Sequence, residues 1–216
     1  MVLLSPSVGA LRRLLKICEQ YAVAHGLRYN AKISELLVFK AGTKTYNTVP
    51  PITLDGASLK QVKQFKYLGH WVTDALTDNL ELDRERRALT VRCNMLARRF
   101  ARYTNDVKLT LFKAYCQTLY TCGLWVNYMQ KSFNALKVQY NSTFRMLLRL
   151  PPFCSASGMF AEARTDGFDA VVRKRVSSTM SRMRGSDNSL LNTISEDVAC
   201  PILCHWTRTH VTKKGW

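Results

Sequence analysis

The spacing of apolar residues along the chain changes near residues 74–79. Upstream, short apolar runs bounded by Gly, Pro and Asp predict strands; downstream, spacings of three and four predict helix almost continuously to about residue 195. The first element is an exception. Ser7 can cap a helix running to about Ala24, with Leu11, Leu14, Leu15, Cys18 and Tyr21 on one side and Gly26 closing it. An apolar strand over residues 34–39 follows, then a turn-rich loop over residues 41–51 that ends in Pro50-Pro51. Residues 52–54 and 57–59 form a hairpin about Asp55-Gly56, and residues 65–72 read as the next strand.

The cleanest helical pattern covers residues 80–103, where Leu89, Cys93, Leu96, Phe100 and Tyr103 fall on one face at about 100° per residue. Arg84, Arg87, Arg98 and Arg102 gather on roughly the opposite face. A second helix starts near Asn105-Asp106. A third spans residues 132–150 on a stripe of Phe133, Leu136, Tyr140, Phe144 and Leu147, stopped by Pro151-Pro152. Another, around residues 168–183, carries Arg173, Lys174 and Arg175. The longest uncharged run, residues 114–130, holds Gln117, Thr118, Asn127 and Gln130; this polarity predicts a buried helix and no membrane span. The pattern as a whole predicts an α+β fold: residues 1–78 as a small α/β piece of a helix with antiparallel strands, 79–150 as a helical domain and 151–216 as a helical extension.

Charge narrows the class of partner. Lys and Arg number 32 against 15 acidic residues, a formal net charge of +17 on 216 residues. Phosphates reward such an excess through counterion release, so a nucleic acid is the expected ligand. Seven scattered cysteines suggest no disulfide framework. Arg12, Arg13 and Lys16 interrupt the N-terminal apolar stretch where a leader would continue. An intracellular chain, nuclear or cytoplasmic and not secreted, is the expectation.

Two blocks carry a family resemblance. They are Asn30-Ala31-Lys32-Ile33-Ser34-Glu35-Leu36-Leu37-Val38-Phe39 and, some thirty residues on, Phe65-Lys66-Tyr67-Leu68-Gly69-His70-Trp71-Val72. In that order they resemble the late palm motifs of reverse transcriptases of the non-long-terminal-repeat (LINE-type) retrotransposons. Residues 95–100, 111–116 and 160–164 resemble the helical region after the palm in such proteins, so the resemblance covers nearly the whole chain. It implies the end of a palm with a primer-grip hairpin, then a thumb-like helical domain on template–primer duplex.

The same resemblance defines what is expected of the chemistry. In the family, two Mg2+ ions are held by carboxylates from an upstream strand and from an aromatic-Ala-Asp-Asp turn, and Met1-Val2-Leu3-Leu4-Ser5 resembles the residues directly after that turn. The expectation is a truncated polymerase without its catalytic aspartates, inactive alone, with no cofactor of its own and an exposed apolar edge around Val2, Leu3, Leu36, Val38 and Phe65 where the missing upstream half would sit. The family lysine that acts as general acid would stand at position 33, which is Ile33, while Lys32 comes one place early. On a strand that shift turns the side chain to the other face, so either Lys32 reaches in from a bend or the function is lost.

Duplex binding is expected at Lys66, Gly69, His70, Arg84, Arg87, Arg98 and Arg102. Alternation along one strand would place Lys66, Leu68, His70 and Val72 together, with Phe65, Tyr67, Gly69 and Trp71 behind, and Gly69 would admit a sugar-phosphate backbone. The competing readings are a half-buried strand with a glycine bulge and an arginine face that is only solvated; for the whole chain, a non-binding remnant or a protein-interaction module. Cys200, Cys204, His205 and His210 lack the gap between ligand pairs that Cys2His2 zinc uses, and no metal site is expected there.

Overall fold

In the computed structural model of the chain, the described residues are 1–40 and 49–211. They divide into two compact units, Met1–Leu76 and Thr77–Trp216. Most of the expected 41–51 loop lies outside the described residues.

In the first unit, helix α1 (Val8–Ala24) begins where the Ser7 hydroxyl accepts a hydrogen bond from the Ala10 amide at 3.2 Å, satisfying one of the four orphan donors of a helix start. Gly26, at φ +64°, supplies the left-handed turn beyond its end. Leu15 and Ala22 are buried on its inner face. Tyr21, expected on that face, is exposed and stacks on His25 with ring centroids 4.0 Å apart, because the inward stride passes through Ala22. Leu15 packs with Ile52 and Leu54 in a small core, against which Leu11, Tyr29 and Leu36 are half-buried.

The strands of this unit form three separate pairs: β1 (Glu35–Leu37) with β4 (Lys60–Val62), β2 (Thr53–Leu54) with β3 (Ala57–Ser58), and β5 (Gln64–Tyr67) with β6 (His70–Thr73). The last two pairs are antiparallel. Contrary to the expectation of antiparallel strands throughout, β1 and β4 run parallel, and the roughly twenty residues between them meet the length a parallel crossover needs. The β2–β3 turn is the expected Asp55-Gly56, both at positive φ (51° and 75°), the primed geometry whose twist matches that of the strands.

The second unit is helical: α2 (Asn79–Arg99), α3 (Asn105–Cys116), α4 (Gln130–Leu148), α5 (Ala156–Glu162), α6 (Phe168–Arg184), α7 (Ser189–Glu196) and α8 (Pro201–Trp206). Residues 79–150 and 151–206 share one core, in which Leu89 and Leu96 of α2 meet Leu136 and Tyr140 of α4, and Phe168 and Val176 of α6. Phe112 sits edge-on between Tyr140 and Phe144, 5.3 and 5.0 Å from their ring centroids. The α4 stripe is buried at Leu136, Tyr140, Phe144 and Leu147.

Three boundaries differ from expectation. Helix α2 stops at Arg99, so Arg102 lies in the following turn and Tyr103 is exposed. Helix α4 stops at Leu148, three residues before Pro151, and Arg149 after it adopts φ +58°. Residues 114–130 are not one helix: α3 ends at Cys116, and a short 3-10 turn, Cys122–Leu124, follows. There Gly123 passes so close to α6 that a Cβ on it would lie 2.9 Å from Thr179 Oγ1, and the chain is tied down by approach instead of by helix. No helix among the described residues is long and apolar enough to cross a membrane.

Candidate nucleic-acid interface

Residues 65–72 do not form one strand. The chain reverses at Leu68-Gly69, with φ of 47° and 87°, and β5 and β6 pair with Tyr67 opposite His70, Lys66 opposite Trp71 and Phe65 opposite Val72. Opposed residues of an antiparallel pair share a face. Lys66 therefore lies with Trp71 on one face, and His70 lies with Tyr67, Phe65 and Val72 on the other. The expected pairing of Lys66 with His70 on a single phosphate-facing side is thus overturned by the turn between them. Gly69 is a turn residue at the tip, with nothing within 4 Å of a Cβ built on it. Lys66 and Tyr67 are exposed, Leu68 is 88% exposed, and His70 is half-buried.

Lys32 is exposed too, on a 3-10 turn, Ala31–Ile33. The strand argument for its displacement fails there, since 3-10 geometry does not alternate faces. Asn30 makes the turn: its side-chain carbonyl accepts from the Lys32 amide at 3.1 Å, while Ser34 Oγ donates to the Asn30 carbonyl at 2.9 Å. An Asn followed two residues on by a bound amide is the local signal that the strand reading passed over.

Helix α2 is electrically divided along its length. Its carboxylates, Glu81, Asp83 and Glu85, fall in the first two turns, and the first and last are buried. Arg84 donates to Glu81 from Nε (2.9 Å) and Nη2 (2.5 Å) and to Glu85 from Nη2 at 3.0 Å. Arg92 also bonds Glu85, and its other terminal nitrogen reaches Thr118 Oγ1 at 3.1 Å. Thr121 Oγ1 donates to Glu81 at 3.1 Å. Arg87, 75% exposed, pairs with Asp83 at 2.5 Å; Arg86 shares that carboxylate. The hydrogen bonds from Arg86, with the charge of Arg87 nearby, hold the Asp83 carboxyl below its usual range. Arg84 and Arg87, both expected to face duplex phosphates, thus have acidic partners on their own helix.

The other end of α2 differs. Arg98 and Arg102 are exposed, as is Arg99 between them, and among the described residues none of the three makes an ion pair. Arg149, missed in the sequence reading, joins them: its left-handed backbone ends α4, and its Nη2 donates to the Ala101 carbonyl at 3.3 Å. The Pro-Pro after α4 was the available clue that this arginine sits at a chain reversal and not inside a helix. Cations at a helix C-terminus also complement the macrodipole.

The Mg2+ that the resemblance implies does not fit these carboxylates. Glu81, Asp83 and Glu85 are engaged by arginines, Asp74 pairs with Lys40 at 2.9 Å, and Glu19 accepts from the Asp55 amide at 2.7 Å. Among the described residues no group of three His, Cys, Asp or Glu is placed to hold a metal ion. In the Cys200 segment, Cys200 is buried, Cys204 Sγ donates to the Val198 carbonyl at 3.2 Å, and the His205 ring meets the edge of Tyr128. No protein-family model, curated protein or solved structure matches the chain.

Proposed function

We propose that the chain is a late-palm and thumb segment of a retrotransposon-type reverse transcriptase, and that it binds RNA–DNA or related duplex through the phosphate backbone. The carrying observation is the division of α2: its acids are consumed near the N-terminus, while Arg98, Arg99 and Arg102 stand exposed at the C-terminal end beside Arg149, with no ion pair among the described residues. Guanidinium groups so arranged offer forked donors to phosphate oxygens, and the net charge of +17 adds long-range attraction. The tight hairpin in the Phe65 block, with Lys66 and Tyr67 exposed near its tip, agrees with the grip that the resemblance implies. Gly69 enters only as the turn, and Arg84 serves the fold.

A salt titration of binding to an RNA–DNA hybrid tests this reading. Affinity should fall linearly with log salt, and Arg98→Gln with Arg102→Gln should lower the slope by about 1–2. Absence of binding at low salt would overturn it, as would binding with no salt dependence.

One observation favours a second reading, a surface that meets another protein or the fingers and upstream palm of a polymerase. Met1, Leu4, Ile17, Val23 and Ile33, all in the first unit, are between 60% and 82% exposed. Of the edge expected around Val2, Leu3, Leu36, Val38 and Phe65, Val2 is exposed, whereas Leu3 and Leu36 pack against the small core. Light scattering separates the readings: concentration-dependent association supports docking, and a monodisperse monomer opposes it.

A further inference from the structure

The end of α3, the loop between α5 and α6, and the outer face of α6 border an open cleft of about 440 Å3. That volume falls in the range of small-molecule sites. Its lining is rich in cations: Lys113 from α3, Arg164 from the loop and Lys174 from α6, against the single carboxylate of Asp166. Lys174 already holds that carboxylate at 2.6 Å. Lys113 and Arg164 are exposed, and among the described residues neither makes an ion pair.

The floor of the cleft is fixed. Gln117 Nε2 donates to Tyr140 Oη at 2.9 Å and to the Asp166 carbonyl at 3.0 Å, and Tyr140 Oη donates to the same carbonyl at 2.8 Å. Tyr140 is fully buried, so the loop bearing Arg164 and Asp166 is anchored to the core and not free to drift. Thr165, also in the lining, keeps its hydroxyl out of solvent with no hydrogen-bond partner. A buried hydroxyl left unpaired is a net cost to the fold, and a ligand oxygen at this part of the lining would relieve it. Phe160 and Ala161 supply an apolar wall beside these donors.

We propose that this cleft is a phosphomonoester site. Lys113 and Arg164 neutralise the dianion, Thr165 donates to one of its oxygens, and the Phe160 side receives the organic group that the phosphate carries. Asp166 is no obstacle, since Lys174 neutralises it and orients the loop. The phosphate could belong to a free nucleotide-sized metabolite or to the end of a nucleic-acid strand, and the site does not depend on duplex binding at Arg98 and Arg102.

Titration calorimetry on the full chain tests the proposal with four probes: a nucleoside 5′-monophosphate, the matching nucleoside, and a dinucleotide with and without a 5′-phosphate. Saturable binding that requires the phosphate is expected. Arg164→Gln and Lys113→Gln should each weaken it about tenfold, the size of one lost charge-assisted hydrogen bond, and Arg98→Gln should leave it unchanged. Thr165→Val is the sharper variant: it should weaken binding while the unfolding midpoint holds or rises, whereas a purely structural hydroxyl would leave affinity untouched. Tighter binding of the phosphorylated dinucleotide than of the monophosphate identifies a strand end as the source, and equal binding a free metabolite. Equal affinity for the nucleoside and its monophosphate, or wild-type affinity in both cation variants, would overturn the proposal whatever the duplex titration shows.

Discussion

Arg84 holds the buried carboxylate of Glu81 in a two-point grip, Nε and Nη2 each on one oxygen, at 2.9 and 2.5 Å. Glu81 has no exposed surface, and Arg84 is 30% exposed. Removing the guanidinium takes two charge-assisted hydrogen bonds from a desolvated anion. Arg84→Gln should therefore cost about 2–3 kcal/mol of stability in urea denaturation, while duplex affinity of the folded fraction stays within about twofold. The double variant at Arg98 and Arg102 should do the reverse, losing duplex affinity with stability within about 0.5 kcal/mol. A stability loss shared equally by both variants would contradict the division of α2.

The hairpin tip makes an opposed pair of predictions. Leu68 and Gly69 both sit at positive φ, and only the glycine does so at little cost. Leu68→Asn should stabilise the hairpin by about 0.5–1 kcal/mol, since Asn tolerates the left-handed region and Leu68 buries little. Gly69→Ala should destabilise it by about 1 kcal/mol through conformation alone, because nothing crowds the added methyl. Hydrogen exchange of the β5 and β6 amides would report both; unchanged protection in Gly69→Ala would refute the turn.

These two sites mark what the sequence could and could not disclose. Where one element meets one core, as in α4, the stripe of Leu136, Tyr140, Phe144 and Leu147 was readable because burial follows helical period. The Ser7 cap and the Asp55-Gly56 turn were readable because a single side chain or a positive φ decides them locally. Leu68-Gly69 was missed because Leu is not a turn residue, and alternation on both sides of it imitates one strand. The fate of Arg84 was hidden for a different reason. Whether an arginine meets solvent or a carboxylate depends on how the α2 acids are buried: Glu81 accepts from Thr121, and Arg92, which bonds Glu85, also reaches Thr118, both threonines far along the chain. Arg149 was invisible until the end of α4 was known.

A further prediction concerns a polar atom in the core. Thr143 on α4 is fully buried and its hydroxyl has no hydrogen-bond partner, although its backbone carbonyl accepts from Cys93 Sγ at 3.4 Å. Thr143→Val keeps the branched shape and removes the unpaired donor. It should raise stability by about 1 kcal/mol, measured by denaturant midpoint. A loss of comparable size would mean that the hydroxyl is satisfied in solution, for instance by a trapped water.

The thiols give the fold its alkaline limit. Burial pushes Cys93 up to about 11, and Cys116 and Cys122 up to about 12, from an ordinary value of 9.0. Between pH 9 and these values the unfolded chain has released protons that the folded chain retains, so stability is intact below pH 9 and falls as pH rises beyond it. Each thiol contributes at most about 1.4 kcal/mol per pH unit across that window. The unfolding midpoint should therefore drop between about pH 8.5 and pH 10.5, and a Cys116→Ala, Cys122→Ala variant should show a shallower drop even if its midpoint at pH 8.5 is lower. Thiol labelling gives an independent reading of the same burial. Exposed Cys204 should react in the native state, while Cys93, Cys116 and Cys122 should react only on unfolding; their fast native labelling, or an identical alkaline slope in the double variant, would show that these thiols are not held protonated by the core.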